Sequence, residues 1–343
     1  MNSMKIISVV FLISLVWIFL SCDSEGPDGC FPKESLPSYI EPLTDFGQRS
    51  EWSLDGQSVY FVDSAGGDVW MVDVNSKKTR KITQPSYRPG GHGYYRVLCL
   101  SNGDLLFTCG PERYTLYMQV MDKSLKNPPV TIPDEQINEG PAISRKSMKI
   151  AWSPDHKKIY TGVIQYNKGI PAIINKKLAI DSQDIVVDGI KYEDILEPQD
   201  FRPPEENELI WSQYGKTSTG IFSSEVMGYN LVTGRIVNYS KAPEQYDEPE
   251  GIFPDGDFTL IECDKHNPKG TDYIDIYKFK LDDNAPTYER LTYFSDIKGF
   301  RSSNPVVSDD GKMIAFQASI AGSAAGAGCG LYLLDLDKRA NTK

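Results

Sequence analysis

SLDGQSVYFVDS occupies residues 53–64 and SDDGKMIAFQAS residues 308–319. Both run Ser, a two-residue spacer ending in Asp, then Gly, two residues and an apolar run. Asp-Gly supplies the positive φ that a tight turn demands, and the β-branched and aromatic residues after it suit a strand. The phrase therefore writes a β-hairpin, once near each end of the chain.

Altered copies fill the interval. SNGDLLFTCG (101–110) has Asn-Gly at the turn, and EGIFPDGDFTLIEC (250–263) has Asp-Gly. GPAISRKSMKIAWS (140–153) puts Ser147 where the turn glycine stands elsewhere, and DFRPPEENELIWS (200–212) has no glycine but keeps the strand. Several copies continue into a third strand: DVWMVDV (68–74), TLYMQVMD (115–122), EVMGYNL (225–231), IDIYKFKL (274–281) and GLYLLDL (330–336). A fourth, ending in Leu or Ile and then Thr, follows in TRKIT (79–83) and YERLT (288–292). Four antiparallel strands recurring every 45–60 residues, roughly, are the signature of propeller blades.

This repeat resembles that of the TolB-type (PD40, WD40-like) β-propellers, and the resemblance runs from residue 39 to the end. It implies an all-β fold, a six-bladed β-propeller of four-stranded antiparallel blades. The last blade, LYLLDLDKRANTK (331–343), lacks a fourth strand, whereas YIEPLTDF (39–46) matches YERLTYF (288–294) but precedes the first hairpin. Residues 39–44 are thus expected to pair with 330–336, so that an N-terminal strand completes the last blade and closes the ring. Closure removes an open sheet edge.

Composition agrees. Aromatic residues make up 11% of the 343, with 22 Pro and 28 Gly, which suits short strands and turns. A net charge of −11 leaves no excess of Lys and Arg to neutralise phosphates, so nucleic acid is not an expected partner.

The N-terminus is a separate device. Lys5 precedes IISVVFLISLVWIFL (6–20), shorter than the roughly 20 residues of a membrane span, so 1–21 reads as a signal peptide. Leu20-Ser21-Cys22 resembles a bacterial lipobox, with Phe19 where that family usually has Leu. It implies a lipid on Cys22 and attachment to the cell envelope, at the outer membrane on its periplasmic side or at the cell surface. Residues 22–38, rich in Asp, Glu, Gly, Pro and Ser, read as a flexible tether, and 39–343 as the propeller. Cys30, Cys99, Cys109, Cys263 and Cys329 form no CxxC, so neither a zinc site nor a redox motif is supported, and buried strand cysteines are expected.

In this fold, loops leading into each inner strand share a face with those joining second and third strands. The first set brings Arg49, His92 with Arg96, Asn138 with Glu139, Glu197 to Asp200, Asp247 to Glu250, and Arg301 with Asn304 to the central mouth. The second set is short in blades 1 to 3 but long in QYGKTSTGIFSSE (213–225), CDKHNPKGTDYI (263–274) and ASIAGSAAGAGCG (318–330). Polar residues also line a channel that holds only water. The ligand-binding candidates are Arg49, His92, Gln199, Asp200, Glu248, Glu250, Arg301 and Asn304, with the ligand over blades 4 to 6.

Several motifs fail. GAGCG (326–330) leads into a strand, not the helix a dinucleotide loop needs, and Gly215-Lys216-Thr217 has Ile210 where a phosphate loop begins with Gly. No GxSxG elbow occurs. A more distant resemblance, to oligogalacturonate lyases, implies a metal held largely by histidines in the mouth. Only His92, His156 and His266 exist, and only His92 is expected near the mouth, so a histidine-rich site is excluded. An oxygen-ligated Ca²⁺ among Glu139, Asp200, Glu248 and Glu250 stays open, as does glycoside hydrolysis by paired carboxylates. The expected role is a monomeric, lipid-anchored binding or scaffold propeller for a polar ligand, a glycan or an envelope protein. The alternative is a carbohydrate-active enzyme, a lyase or hydrolase of an anionic polysaccharide.

Overall fold

The computed structural model describes residues 31–192 and 195–342. The expected signal peptide, the expected lipid site at Cys22 and the expected tether up to residue 30 lie outside the described residues.

Six four-stranded antiparallel sheets form the blades, each running from an inner strand outward. Blade 1 is Gln48–Trp52, Ser58–Val62, Val69–Asp73 and Thr79–Lys81. Blade 2 is Tyr94–Cys99, Leu105–Cys109, Leu116–Met121 and Val130–Ile137. Blade 3 is Ala142–Ile143, Lys149–Trp152, Lys158–Asn167 and Ile170–Asp181. Blade 4 is Leu196–Phe201, Glu208–Lys216, Phe222–Asn230 and Ile236–Asn238. Blade 5 is Asp247–Ile252, Phe258–Cys263, Asp275–Lys280 and Tyr288–Arg290. Blade 6 is Phe300–Val307, Met313–Ile320 and Leu331–Asp335, completed on the outside by Ile40–Pro42. That last pairing is antiparallel, with Ile40 opposite Leu334 and Pro42 opposite Tyr332.

The repeated phrase has one physical meaning at both ends of the chain. Ser53 Oγ donates to Asp55 Oδ1 at 2.6 Å and accepts from the Ser58 N–H at 3.0 Å. Ser308 Oγ does the same with Asp310 at 2.6 Å and the Met313 N–H at 3.0 Å. The glycines that follow, Gly56 and Gly311, have φ of +66° and +72°, where a side chain would be strained. A Thr just past the fourth strand is equally specific in blades 1 and 5: Thr83 and Thr292 Oγ1 accept from the Val69 and Ile276 N–H groups near the start of the third strands. Thr44 accepts from Leu331 N in the same way, so the N-terminal strand reproduces the cap of an ordinary blade.

Apolar side chains of neighbouring blades form the core. Leu43 packs with Trp52, Val59 and Phe61 of blade 1 and with Ala315, Leu331 and Leu333 of blade 6. Two expectations need correction. Of the presumed tether, Phe31 is only 3% exposed and stacks on Phe294 with centroids 3.9 Å apart, because an aromatic ring gains more in that groove than in water. The stretch 213–225 is also mostly strand, a raised hairpin pairing Lys216 with Phe222 and steadied by Tyr214 stacked on Phe222 at 5.2 Å. Cys99, Cys109 and Cys263 are buried in strands. Among the described residues, no helix is long and apolar enough to cross a membrane.

Candidate functional site

The inner strands are interrupted at the propeller axis. The ladder between inner and second strands shifts register between Gln48 and Glu51, Tyr94 and Arg96, Pro198 and Asp200, Pro249 and Gly251, and Ser303 and Val306. Such bulges re-aim side chains. Arg49, Gln199, Glu250 and Asn304 occupy four of them, Arg49 and Asn304 with φ of +55° and +47°. A hydrophobic alternation would have turned these groups along the sheet; the bulge brings Arg49, Glu250 and Asn304 to the axis.

Two cavities result. The mouth encloses about 490 Å³ and is lined by Arg49, Arg96 and Arg113, by Glu248, Glu250 and Glu262, and by the rings of Tyr214, Tyr246 and Phe222. A smaller cavity of about 80 Å³ continues inward past Glu51, Arg145, Gln199 and Asp200. Arg49, Arg96, Glu197, Glu250 and Asn304 border both and form the waist between them.

The cations are unequally engaged. Arg113 Nε donates to Glu139. Arg96 Nη2 lies 3.3 Å from Glu197, and its Nη1 lies 3.9 Å from Glu250. Arg301 donates to the Thr271 carbonyl at 2.8 Å and the Ser323 carbonyl at 3.0 Å, so it ties together the long loops of blades 5 and 6. Arg49 is different: it is 5% exposed, its Nε and Nη1 have no hydrogen-bond partner, and the nearest carboxylate, Glu139, is 3.9 Å away. Burial, with the Arg96 charge behind it, pulls its guanidinium down to about 10. The Gly-rich loop of blade 6 closes over this group: a Cβ on Gly326 would come within 2.1 Å of Arg49 Nη2.

Opposite, Glu248 accepts from the hydroxyls of Tyr214 and Tyr246. Burial first, then the charges of Glu250 and Glu197, push Glu248 up to about 8. Burial and the nearby carboxylate of Glu262 do the same to Glu250, and burial with Glu248 does so to Glu262, each to about 8. Crowding and burial thus hold all three carboxyls above the usual carboxylate range, and a cation or a donor-rich ligand standing against them would draw them back down. Tyr214 Oη also lies 2.9 Å from Glu197 Oε2, so one phenol, with a single proton to donate, stands between two carboxyls.

Of the residues singled out from sequence, Arg49, Glu248, Glu250, Arg301 and Asn304 line the mouth. Gln199 and Asp200 line the inner cavity instead. Asp200 accepts from Phe201 N at 2.8 Å and from Ile252 N at 3.2 Å, so it laces blade 4 to blade 5. His92 borders neither cavity; its ring lies 6.4 Å from that of Tyr117 on the approach to blade 2. His156 takes its place at the mouth, edge-on to Tyr114 at 5.6 Å, with neither ring nitrogen hydrogen-bonded. The proposed calcium quartet does not assemble either: Glu139 pairs with Arg113 and Asp200 faces inward, while Glu262 joins Glu248 and Glu250. Glu262 was legible in principle, since it stands directly opposite Glu248 in the first hairpin of blade 5. Tyr214, Tyr246 and Phe222 carry no comparable signal.

No family model and no curated protein matches the chain by sequence. Solved structures do match in shape. TolB from Agrobacterium tumefaciens superposes with a TM-score of 0.52 at 14% identity, over 75% of this chain and 79% of that one. A chain of the mitotic checkpoint complex gives 0.53 at 8% identity, over 89% and 95%. An oligogalacturonate lyase in complex with manganese gives 0.48 at 14%, over 84% and 77%. At these identities the likeness is one of fold: this chain is a six-bladed β-propeller built like that of TolB.

Proposed function

We propose that this chain is a monomeric binding propeller of the bacterial cell envelope, held by a lipid on Cys22, that takes an acidic sugar into its mouth. The observation that carries the reading is Arg49, a buried guanidinium with two nitrogens unpartnered at the edge of a cavity of about 490 Å³. That volume lies within the roughly 300–1,000 Å³ of small-molecule sites. A ligand carboxylate would give Arg49 the charged hydrogen bonds it lacks. Ligand hydroxyls would meet Glu248 and Glu250, and the rings of Tyr214 and Phe222 offer an apolar face above.

A glycan panel of neutral and acidic oligosaccharides, read for both binding and turnover, tests this on the protein without its signal peptide. Acidic members should bind, and Arg49→Gln should weaken them about tenfold or more, the worth of a lost charged hydrogen bond. If acidic and neutral members bind alike, or the variant binds as well as the parent, the reading fails. One observation favours the second reading, a carbohydrate-active enzyme. Glu197 and Glu248 flank the Tyr214 hydroxyl, and both are pushed above the usual carboxyl range, first by burial. Paired carboxyls of that kind serve acid–base chemistry on glycosides. Turnover in the same panel selects it.

A further inference from the structure

The mouth is blind at its inner end. Blades 2 and 5 stand opposite each other in a ring of six, yet Arg96 Nη1 of blade 2 lies 3.9 Å from Glu250 of blade 5. The Nη2 of the same guanidinium lies 3.3 Å from Glu197 of blade 4, and Asn304 Nδ2 of blade 6 donates to Glu250 at 3.1 Å. Side chains thus meet across the axis at the waist, and beyond them the open space narrows from about 490 to about 80 Å³. The sides are closed by every blade. Arg49, Arg96, His156, Tyr214, Glu248 and Arg301 line the mouth, one from each blade in turn.

Depth within this funnel is graded. Arg49, with its two unpartnered nitrogens, is buried at the waist. Phe222 and Tyr114 line the same mouth but are 43% and 57% exposed, so they stand at its rim. Phe222 belongs to the raised hairpin of blade 4, and Tyr214 stacks on one of its faces. Tyr114 comes from the loop joining the second and third strands of blade 2. A sugar ring carries an apolar C–H face that packs on the face of an aromatic ring. An acid group seated on Arg49 therefore puts its own sugar inside the funnel and the next sugar level with the rim. An internal unit of a polymer would have to bring two neighbours back up one blind funnel; a terminal unit brings one.

We propose that the mouth recognises one end of an acidic oligosaccharide, with the terminal acidic sugar seated on Arg49 and the second sugar packed against Phe222 and Tyr114. This rests on the acidic-sugar reading and goes beyond it, by fixing which part of a chain is read and which rim residues select for length.

The test uses the protein without its signal peptide and two series of uronic acids, glucuronate and galacturonate, as monomers, dimers, longer oligomers and polymers of known mean length. Affinity measured by calorimetry should rise from monomer to dimer and then level off. Sedimentation of polymers saturated with protein should show one protein per chain, whatever the chain length. Phe222→Ala and Tyr114→Ala should each weaken the dimer about threefold or more and leave the monomer unchanged. A merely structural role would weaken both ligands alike, and monomer binding shows that each variant is folded. Protein bound per chain that grows with chain length overturns the inference and leaves the acidic-sugar reading standing, as does dimer affinity undiminished in both variants. Absence of uronate binding also overturns it, and the wider panel then decides the acidic-sugar reading on its other members.

Discussion

Removing Leu43 or Thr44 should weaken the whole ring, although both lie near the N-terminus. Leu43 is 4% exposed and packs against side chains of blades 1 and 6 at once. Leu43→Ala leaves a cavity that closely packed blades cannot refill, at a cost of about 3 kcal/mol within the 2–5 usual for such changes. Thr44→Val removes the acceptor of the Leu331 N–H (3.1 Å) and the donor to the Phe46 carbonyl (2.6 Å). With the Leu331 amide left buried and unpaired, about 2 kcal/mol should be lost. The two residues are neighbours, so the double variant should fall somewhat off additivity. Against a total of about 5–15 kcal/mol, each single variant still folds but melts visibly lower. Val232→Ala serves as control, since Val232 is 75% exposed and such surface changes stay within about 0.5 kcal/mol. Urea unfolding followed by tryptophan fluorescence and by circular dichroism should show both signals shifting together. A Leu43→Ala loss no larger than that of the Val232 control would refute the view that this strand closes the ring.

Further tests follow from single groups. Burial raises Asp200 from 3.8 to about 6, so the folded state holds its proton more tightly than the unfolded chain does. Its contribution is present in full below the unfolded value and lost as pH rises through about 6, a swing of at most about 3 kcal/mol. Asp200→Asn should therefore flatten the stability profile between about pH 4 and 7, and parallel profiles for parent and variant would contradict the assignment. Gly326→Val puts a side chain into Arg49 at a backbone φ of +72°, so the loop over residues 321–330 should lift and be cut faster by protease. An unchanged cleavage rate would count against the packing of that loop. Cys22→Ser should move the protein from the membrane fraction to the soluble one; parent protein found soluble after fractionation defeats the lipid anchor.

The fold was open to reading because its signals are local. A Ser and an Asp-Gly turn, an apolar strand and a terminal Thr each make contacts within a few residues or across one hairpin, and the blade repeats them. The site was less open because it is made at the axis, where inner strands from every blade converge. Position in the repeat sufficed to bring Arg49, Glu250 and Asn304 to the mouth, but the bulges that aim them leave no mark in composition. The same reasoning misjudged His92 and His156: both precede or join strands on the mouth side, and only packing decides which ring faces inward. Gln199 and Asp200 lie at the correct blade but at the wrong depth, since depth along the axis depends on where the register shifts. Tyr214 and Phe222 reach the mouth because a hairpin extends beyond its blade, and nothing in QYGKTSTGIFSSE distinguishes that from a loop.

The pairing of Ile40–Pro42 with Leu331–Asp335 also sets a clock. Thr44 and Leu331, joined by a hydrogen bond, are 287 residues apart along the chain, and the ribosome makes the first long before the second. Until blade 6 exists, the early strand has no partner, and five blades wait with one edge open. Contacts of such long sequence separation form late and slow folding. The vulnerable period is therefore the one just before completion, when a nearly finished ring exposes the outer edge of the Leu331–Asp335 strand that the segment made first must cover.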